Sequence, residues 1–431
     1  IYFHNSLSII HVTNTMKQLT NFWRRLTPSK DVEKAGTYEK AFMEPVYRMC
    51  YVIGLSRADR SIPYLLYTTM VNLSVAGVIV SEIFYTFEAN LSMDEMISCL
   101  NVIIIQFITL WKYKTMRDNK ELYRKLAKSM ESPYFDVSTV GRRVIMDYWA
   151  KKHDVHYRML IKQLRCNFPC RVTFPLIDDL DYNFMVDIYL PFNYRTTFRY
   201  VITYFIMTIA FIYTSYWVIM SEGIMQAHLH PLICQYAVLA DCFENIIEDC
   251  AAEFEDIDLK TLMKNKIFIK KYLNRLSNLV EQHKYILNNT TKMKTILSGP
   301  MLGQLSTTGM LICMVAYQAT TTIRENTGKF LMSLLYLGYV MYTFYLACAS
   351  CEEITIQSRS IGQSAYFSGW ESGMSTVPGV KATLMMVIAR SNKPLIFLAG
   401  GMYTMSLTSY TNLVKTSYSA FTMLLRADNT K

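Results

Sequence analysis

The sequence predicts an all-α membrane protein: seven transmembrane helices, N-terminus cytoplasmic, C-terminus extracellular, with helices extended into a cytoplasmic region. Three observations predict it. Apolar blocks of about twenty residues or more recur, each long enough to cross a bilayer core of about 30 Å as a helix. The segments between them alternate between basic and acidic. Of the 431 residues 52% are hydrophobic and only 18% are charged, where a soluble domain carries about a quarter charged.

Hydropathy marks six blocks, at 62–87, 93–113, 200–220, 295–322, 330–350 and 383–425. The last is interrupted by R-S-N-K-P (Arg390 to Pro394). Its tail carries Ser406, Thr408, Ser409, Thr411, Thr416, Ser417, Ser419 and Thr422, too many hydroxyls for a lipid-facing anchor. They suit a helix with protein on one side and water on another.

A seventh crossing follows from charge. Residues 112–152 and 260–294 are basic, whereas 176–194 contain Asp178, Asp179, Asp181 and Asp187 and no Lys or Arg. Basic stretches stay in the cytoplasm, so the acidic one lies outside and the chain crosses between about Val155 and Ile177. Arg158, Lys162, Arg165 and Arg171 lie in that crossing. Each is costly against lipid and must snorkel, pair or face an interior cavity. The sequon Asn90-Leu-Ser92 falls in the first outside loop, in agreement; those at Asn72, Asn288 and Asn289 are chance matches.

Residues 1–40 are polar and basic, carry no signal-peptide pattern, and hold Met16 as a candidate natural start. Residues 41–55 read as an amphipathic helix too short to span, placed at the membrane surface. The longest inside loop, 222–294, repeats apolar residues at Leu273, Leu276, Leu279, Val280 and Leu287, near helical spacing. That helix is expected to continue a neighbouring span into the cytoplasm.

No catalytic motif emerges: no G-x-S-x-G, H-E-x-x-H, P-loop or dinucleotide fingerprint. Glu352 and Glu353 are adjacent and share no helix face. Asp241, Glu244, Glu248 and Asp249 read as a solvated acidic helix face, and His228, His230 and His283 as structural. The ten cysteines are scattered; Cys348 and Cys351 lack a second pair for zinc, and Cys166 and Cys170, which could bridge, are expected as free buried thiols. No enzyme, metal or cofactor is expected. The net charge of +10 is accounted for by basic cytoplasmic loops, without nucleic acid. A cytoplasmic N-terminus, with no D-R-Y and no N-P-x-x-Y, also separates the chain from G-protein-coupled receptors.

The sequence resembles the insect odorant receptor family. The resemblance rests on L-P-F-N (190–193), L-V-E-Q-H-K-Y-I-L (279–287), S-A-Y-F-S-G-W (364–370), A-R-S-N-K-P-L (389–395) with Gly400, and T-S-Y-S-A-F-T-M-L-L (416–425). It is strongest over the last 150 residues or so. It implies a multi-pass plasma-membrane protein of the olfactory neuron dendrite. It also implies a heterotetrameric, non-selective channel for monovalent and divalent cations, opened by a small volatile odorant. This chain would be the tuning subunit beside a shared co-receptor subunit. The implied organisation is a cytoplasmic segment over 1–40, six spans with the odorant pocket over 41–350, and a cytoplasmic anchor contribution plus the pore-lining seventh helix over 351–431.

The resemblance places the pocket in the outer halves of spans two, three, four and six. Those halves offer Met96, Leu100, Ile103 and Ile104; Phe168 and Phe174; Tyr200, Thr203, Tyr204 and Met207; and Ser333, Tyr336, Leu337, Tyr339 and Val340. An apolar and aromatic cavity with one or two hydrogen-bonding groups suits a volatile ligand, so Tyr336→Ala or Tyr204→Ala is expected to shift ligand sensitivity. Position matching puts the gate at Phe421 and Leu425, one turn apart, with Ser417 and Lys415 nearby. The alternatives are a gustatory-type channel of the same superfamily and a seven-span transporter, the latter disfavoured by the lack of an evident inverted repeat.

Overall fold

Helix length shapes this molecule. The computed structural model describes residues 24–56, 58–88, 93–177, 182–186, 188–254, 259–322 and 327–429. Met16, the sequon at Asn90, and Asp178, Asp179, Asp181 and Asp187 of the acidic loop lie outside the described residues. The main helices are α1 (Thr37–Val52), α2 (Ile62–Glu88), α3 (Met93–Asp118), α4 (Val140–Ile177), α5 (Thr197–Glu244), α6 (Lys266–Thr322), α7 (Thr327–Tyr366), α8 (Val380–Ser391) and α9 (Leu407–Asn429). At 1.5 Å per residue, α5 and α6 run roughly 72 and 86 Å, more than twice a bilayer core of about 30 Å. Each must leave the membrane for much of its length.

Exposure separates the two regions. Ile62, Met70 and Phe87 on α2 and Phe198 on α5 are 76%, 70%, 85% and 78% exposed, in company with Leu65, Leu66, Leu73, Val201, Phe205 and Ile206. So wide an apolar surface is unstable in water and natural in lipid. Among the described residues five helices, α2, α3, α5, α6 and α7, are long and apolar enough to cross a membrane. α4 and α9 fall short of that criterion, because one is studded with charge and the other with hydroxyls.

The other region is a dense helical core. The C-terminal half of α5 places Leu229, Cys234, Tyr236, Leu239 and Phe243 in full burial against α6 and α7. Each large apolar side chain buried there stabilises by about 1.5–3 kcal/mol. The predicted loop from 222 therefore begins much later. α5 continues unbroken to Glu244, and only 245–265 connects it to α6, through short helices Ile246–Ala251 and Leu259–Leu262. Hydropathy ended the span where the lipid ends, but the helix goes on because protein replaces lipid around it. α1 is held by the same logic. Phe42, Met43 and Val46 are at most 1% exposed, and the helix packs on α5 and α4.

Of the expected solvated acidic face, Glu244 and Glu248 are exposed, whereas Asp241 and Asp249 belong to an ion-pair network. Arg142, 1% exposed at its side chain, reaches Asp249 at 2.5 Å, Asp241 at 2.8 Å and Asp136 at 2.9 Å. Arg275 joins from α6, bonded to Asp136 and, at 3.0 Å, to Asp249. Glu244 accepts a hydrogen bond from the Ser364 hydroxyl at 3.0 Å. A tertiary partner 99 residues from Asp241 leaves no local trace in sequence. The ten cysteines are all free thiols; Cys166 and Cys170 are free but not buried, Cys166 being exposed.

The break in the last apolar block has a definite form. α8 ends at Ser391, and a two-stranded hairpin, β1 (Leu398–Ala399) and β2 (Tyr403–Thr404), precedes α9. Only α9, 23 residues long, can serve as the last span. Gly400 turns the hairpin at φ +59°, and its amide donates to the Ser298 carbonyl on α6 at 2.8 Å. A Cβ there would also lie 2.5 Å from the Leu302 side chain. Gly400→Ala is expected to destabilise by about 1–2 kcal/mol, from the left-handed backbone alone. Lower thermal stability of the detergent-purified chain is the measurement; an unchanged melting temperature would remove the docking role. The Glu352 carboxylate accepts from the Leu407 amide at 2.7 Å, satisfying a donor at the start of α9. Glu353 pairs with Lys152 at 3.7 Å.

Candidate functional site

A cavity opens among α2, α3, α4, α5 and α7, within the lipid-facing half. Helical periodicity brings its lining together. Val102, Ile105 and Gln106 come from α3; Leu164, Asn167, Phe168 and Arg171 from α4; Phe211, Thr214, Ser215, Val218 and Ile219 from α5; Tyr336 and Tyr339 from α7; and Glu82 from α2. Each set repeats every three or four residues, so each helix offers one stripe. The cavity measures about 110 Å³, of the order of the roughly 150 Å³ cavity that takes up benzene.

One wall is aromatic. Phe168 and Phe211 stack with centroids 6.4 Å apart. The Arg171 guanidinium stands 5.9 Å from the ring centres of both Phe211 and Tyr336. Of the charges expected in the crossing, Arg158 pairs with Asp154 one turn away at 2.6 Å, and Arg171 faces this cavity. The Tyr336 hydroxyl donates to the Asn101 carbonyl at 3.3 Å, tying α7 to α3. The Thr214 hydroxyl is spent on the Ala210 carbonyl at 2.9 Å. Gln106 and Glu82 are each 2% exposed.

Three of the residues singled out from sequence, Phe168, Tyr336 and Tyr339, line this cavity. The other singled-out residues sit elsewhere. Met96, Leu100 and Ile103 are half-buried along α3. Ile104 and Leu337 pack against an apolar cluster that includes Val340 and Tyr339. Thr203 and Ser333 are buried outside the cavity lining. Tyr200 and Tyr204 form an aromatic group with Phe184, the Tyr200 hydroxyl donating to the Asn183 carbonyl at 2.5 Å and that of Tyr204 to the Val172 carbonyl. Met207 lines a smaller hollow with Phe184 and Phe211. The side chain of Phe174 lies outside the described residues. On α5 the cavity continues the stripe of Thr203 and Met207 toward the core, through Phe211, Thr214 and Val218. Extending the same periodicity by two turns was the signal available in sequence.

One to two turns beyond the cavity sits a buried polar triad. Lys112 of α3, 2% exposed, bonds Glu222 of α5 and, at 3.0 Å, Gln304 of α6. Glu222 lies one turn from the lining residues Val218 and Ile219, and Lys112 two turns from Ile105. α6 then carries Gly309, whose missing side chain admits Leu413 and Ser417 of α9. Ser417 is therefore buried against α6, whereas Asn412, Lys415, Thr416 and Ser419 form an exposed polar stripe. Phe421 and Leu425, half-buried, lie on the opposite face of α9 from that stripe. His228 and His230 lie in α5 and not in an extended strand; their Nδ1 atoms bond the carbonyls of Ile224 and Gln226 at 2.7 and 2.9 Å.

These features define a helical membrane protein with a cavity inside its bundle. The chain belongs to the 7tm odorant receptor family, whose profile matches residues 92–418. It is similar to odorant receptor 13a of Drosophila melanogaster, 27% identical over 160 residues, 35% of this chain and 38% of that protein. Odorant receptor Or2 of Anopheles gambiae is 23% identical over 154 residues, 36% of this chain and 39% of that protein. The matched stretch thus spans well under half of these curated relatives. The fold is that of the seven-helix olfactory receptor OR5 of Machilis hrabei, with TM-score 0.73 at 14% identity over 90% of this chain and 98% of that one. The same receptor in complex with eugenol matches with TM-score 0.71 at 14% identity, over 90% of this chain and 99% of that one.

Proposed function

We propose that the chain is the ligand-tuning subunit of a heteromeric, ligand-gated, non-selective cation channel, assembled with a shared co-receptor in the plasma membrane of the olfactory neuron dendrite. The observation that carries the reading is the cavity among the spans of an odorant receptor fold. The relative of the same fold that holds eugenol supports a small, partly aromatic ligand. The basic loops put the dense core and the N-terminus in the cytoplasm and the end of α9 outside.

α9 carries two faces that a gated pore needs. The stripe of Asn412, Lys415, Thr416 and Ser419 tolerates water, and the pair Phe421 and Leu425 is apolar. Rotation of α9 exchanges a dewetted apolar constriction for a hydrated one, with Phe421 and Leu425 as the closed gate. The ligand opens the channel by binding the open state better than the closed one. Moving the population from one in a hundred open to nearly all open takes a differential affinity of about 5.5 kcal/mol.

The test is expression with and without the co-receptor, recording currents against an odorant panel. Current that requires both chains supports the reading. Current from this chain alone favours a gustatory-type assembly, and ligand uptake without current favours a transporter. Tyr336→Ala removes a ring from the cavity and its bond to Asn101; ligand sensitivity is expected to fall at least about tenfold, about 1.4 kcal/mol. Currents evoked by a co-receptor agonist should persist. Equal loss of both responses would deny Tyr336 a ligand role.

A further inference from the structure

Gln106 is a polar group in the cavity lining whose side-chain amide the fold leaves unengaged among the described residues. It is 2% exposed, and both its amide nitrogen and its amide oxygen are buried without a hydrogen-bond partner among the described residues. Three of its polar neighbours in the lining are already engaged. Thr214 bonds its own helix, Tyr336 bonds Asn101, and Arg171 stands against two aromatic rings. A buried primary amide offers two donors and an acceptor. A buried amide without partners carries a desolvation cost, which a ligand that bonds it relieves.

We infer that the cavity selects a neutral ligand bearing a hydroxyl on a flat apolar body, and that Gln106 reads the hydroxyl. The inference rests on the proposal that this cavity is the ligand site. A hydroxyl is the smallest group that both donates, to the Gln106 carbonyl oxygen, and accepts, from its NH₂. An ether or ester oxygen only accepts, and would leave the carbonyl oxygen bare. Charge is disfavoured by desolvation, since an ionised carboxylate or ammonium must shed its water to enter a largely apolar and aromatic lining. The flat body follows from the Phe168, Phe211 and Tyr336 rings and from a volume near that of one substituted benzene.

The experiment uses isomeric probes, 4-ethylphenol and 4-methylanisole, which share one formula and differ in whether the oxygen carries hydrogen. In cells expressing the chain with the co-receptor, the phenol should activate at a concentration at least about tenfold lower than the ether, since a site built for a hydroxyl rejects the analogue lacking it. In Gln106→Leu the phenol should lose that advantage while the ether stays within about threefold of its original potency. The wild-type comparison stands whether or not the variant assembles, and Gln106→Met provides a second replacement of similar shape. Thermal stabilisation of the detergent-purified chain by each probe reads binding without conduction. Stabilisation by the phenol over the ether in a chain that passes no current upholds the head-group assignment and sinks the channel reading. Equal potency of the two probes, no binding of the phenol, or equal loss of both in Gln106→Leu overturns the assignment and leaves the channel reading intact.

Discussion

Arg142→Met is expected to cost about 3–5 kcal/mol, the range for removing one partner from a buried ion-pair network. The side chain is 1% exposed and bonds three aspartates on three separate chain segments. With methionine in its place, Asp241 loses its guanidinium, and Asp136 and Asp249 share Arg275 alone. The readout is the melting temperature and monodispersity of the detergent-solubilised chain, with surface expression as a cellular check. A variant that melts within about 2 °C of wild type would show that the network contributes little beyond geometry.

The same network sets an acid limit. Burial alone would raise the Asp136 carboxyl, but hydrogen bonds from Ser138 and the charge and hydrogen bond of Arg275 overcome it and hold it at about 2, below its ordinary 3.8. A carboxyl depressed on folding stabilises fully above its unfolded value, and the contribution disappears as pH falls through the folded value. Stability from this group is therefore flat at neutral pH and lost between about pH 4 and pH 2. Asp136→Asn should flatten that acid limb.

Lys112→Met is expected to have an effect of similar size for a different reason. The ion pair with Glu222 lies inside the bundle, and one Glu222 carboxylate oxygen already lacks a partner. Removing the lysine leaves a buried, uncompensated carboxylate, again about 3–5 kcal/mol. Adding Glu222→Leu to Lys112→Met should recover most of the loss, because desolvation of both charges then disappears together. A double-mutant cycle on thermal stability measures the coupling. Additive effects would mean that the two groups do not interact, contrary to the geometry.

The lipid-facing half was largely legible in sequence. α2 begins at Ile62, where the first apolar block begins, and α3 begins at Met93 with the second. The charged crossing was legible only through charge alternation, because Arg158, Lys162, Arg165 and Arg171 defeat hydropathy. Misreadings gathered where protein replaces lipid or water. The second half of α5 carries His228, His230 and Pro231 and reads as a loop, yet Leu229, Cys234, Tyr236, Leu239 and Phe243 within it are fully buried. Four of the five helices that line the cavity, α3, α4, α5 and α7, were named from sequence, and Phe168, Tyr336 and Tyr339 lie in its lining; α2 was not named. The depth of the cavity was not legible, so Gln106, Phe211 and Glu82 were missed.

The sequence by itself determined that this is a helical membrane protein, roughly where its spans begin, and which family it resembles. Hydropathy, loop charge and short motifs are local quantities, readable within a window of about twenty residues. Only the tertiary structure decided which polar groups are paired. Lys112 meets Glu222 across 110 positions, and Arg142 meets Asp249 across 107. It also decided where five helices part to leave the cavity. Those outcomes depend on the rotation and depth of each helix against its neighbours, which packing sets and no single segment encodes.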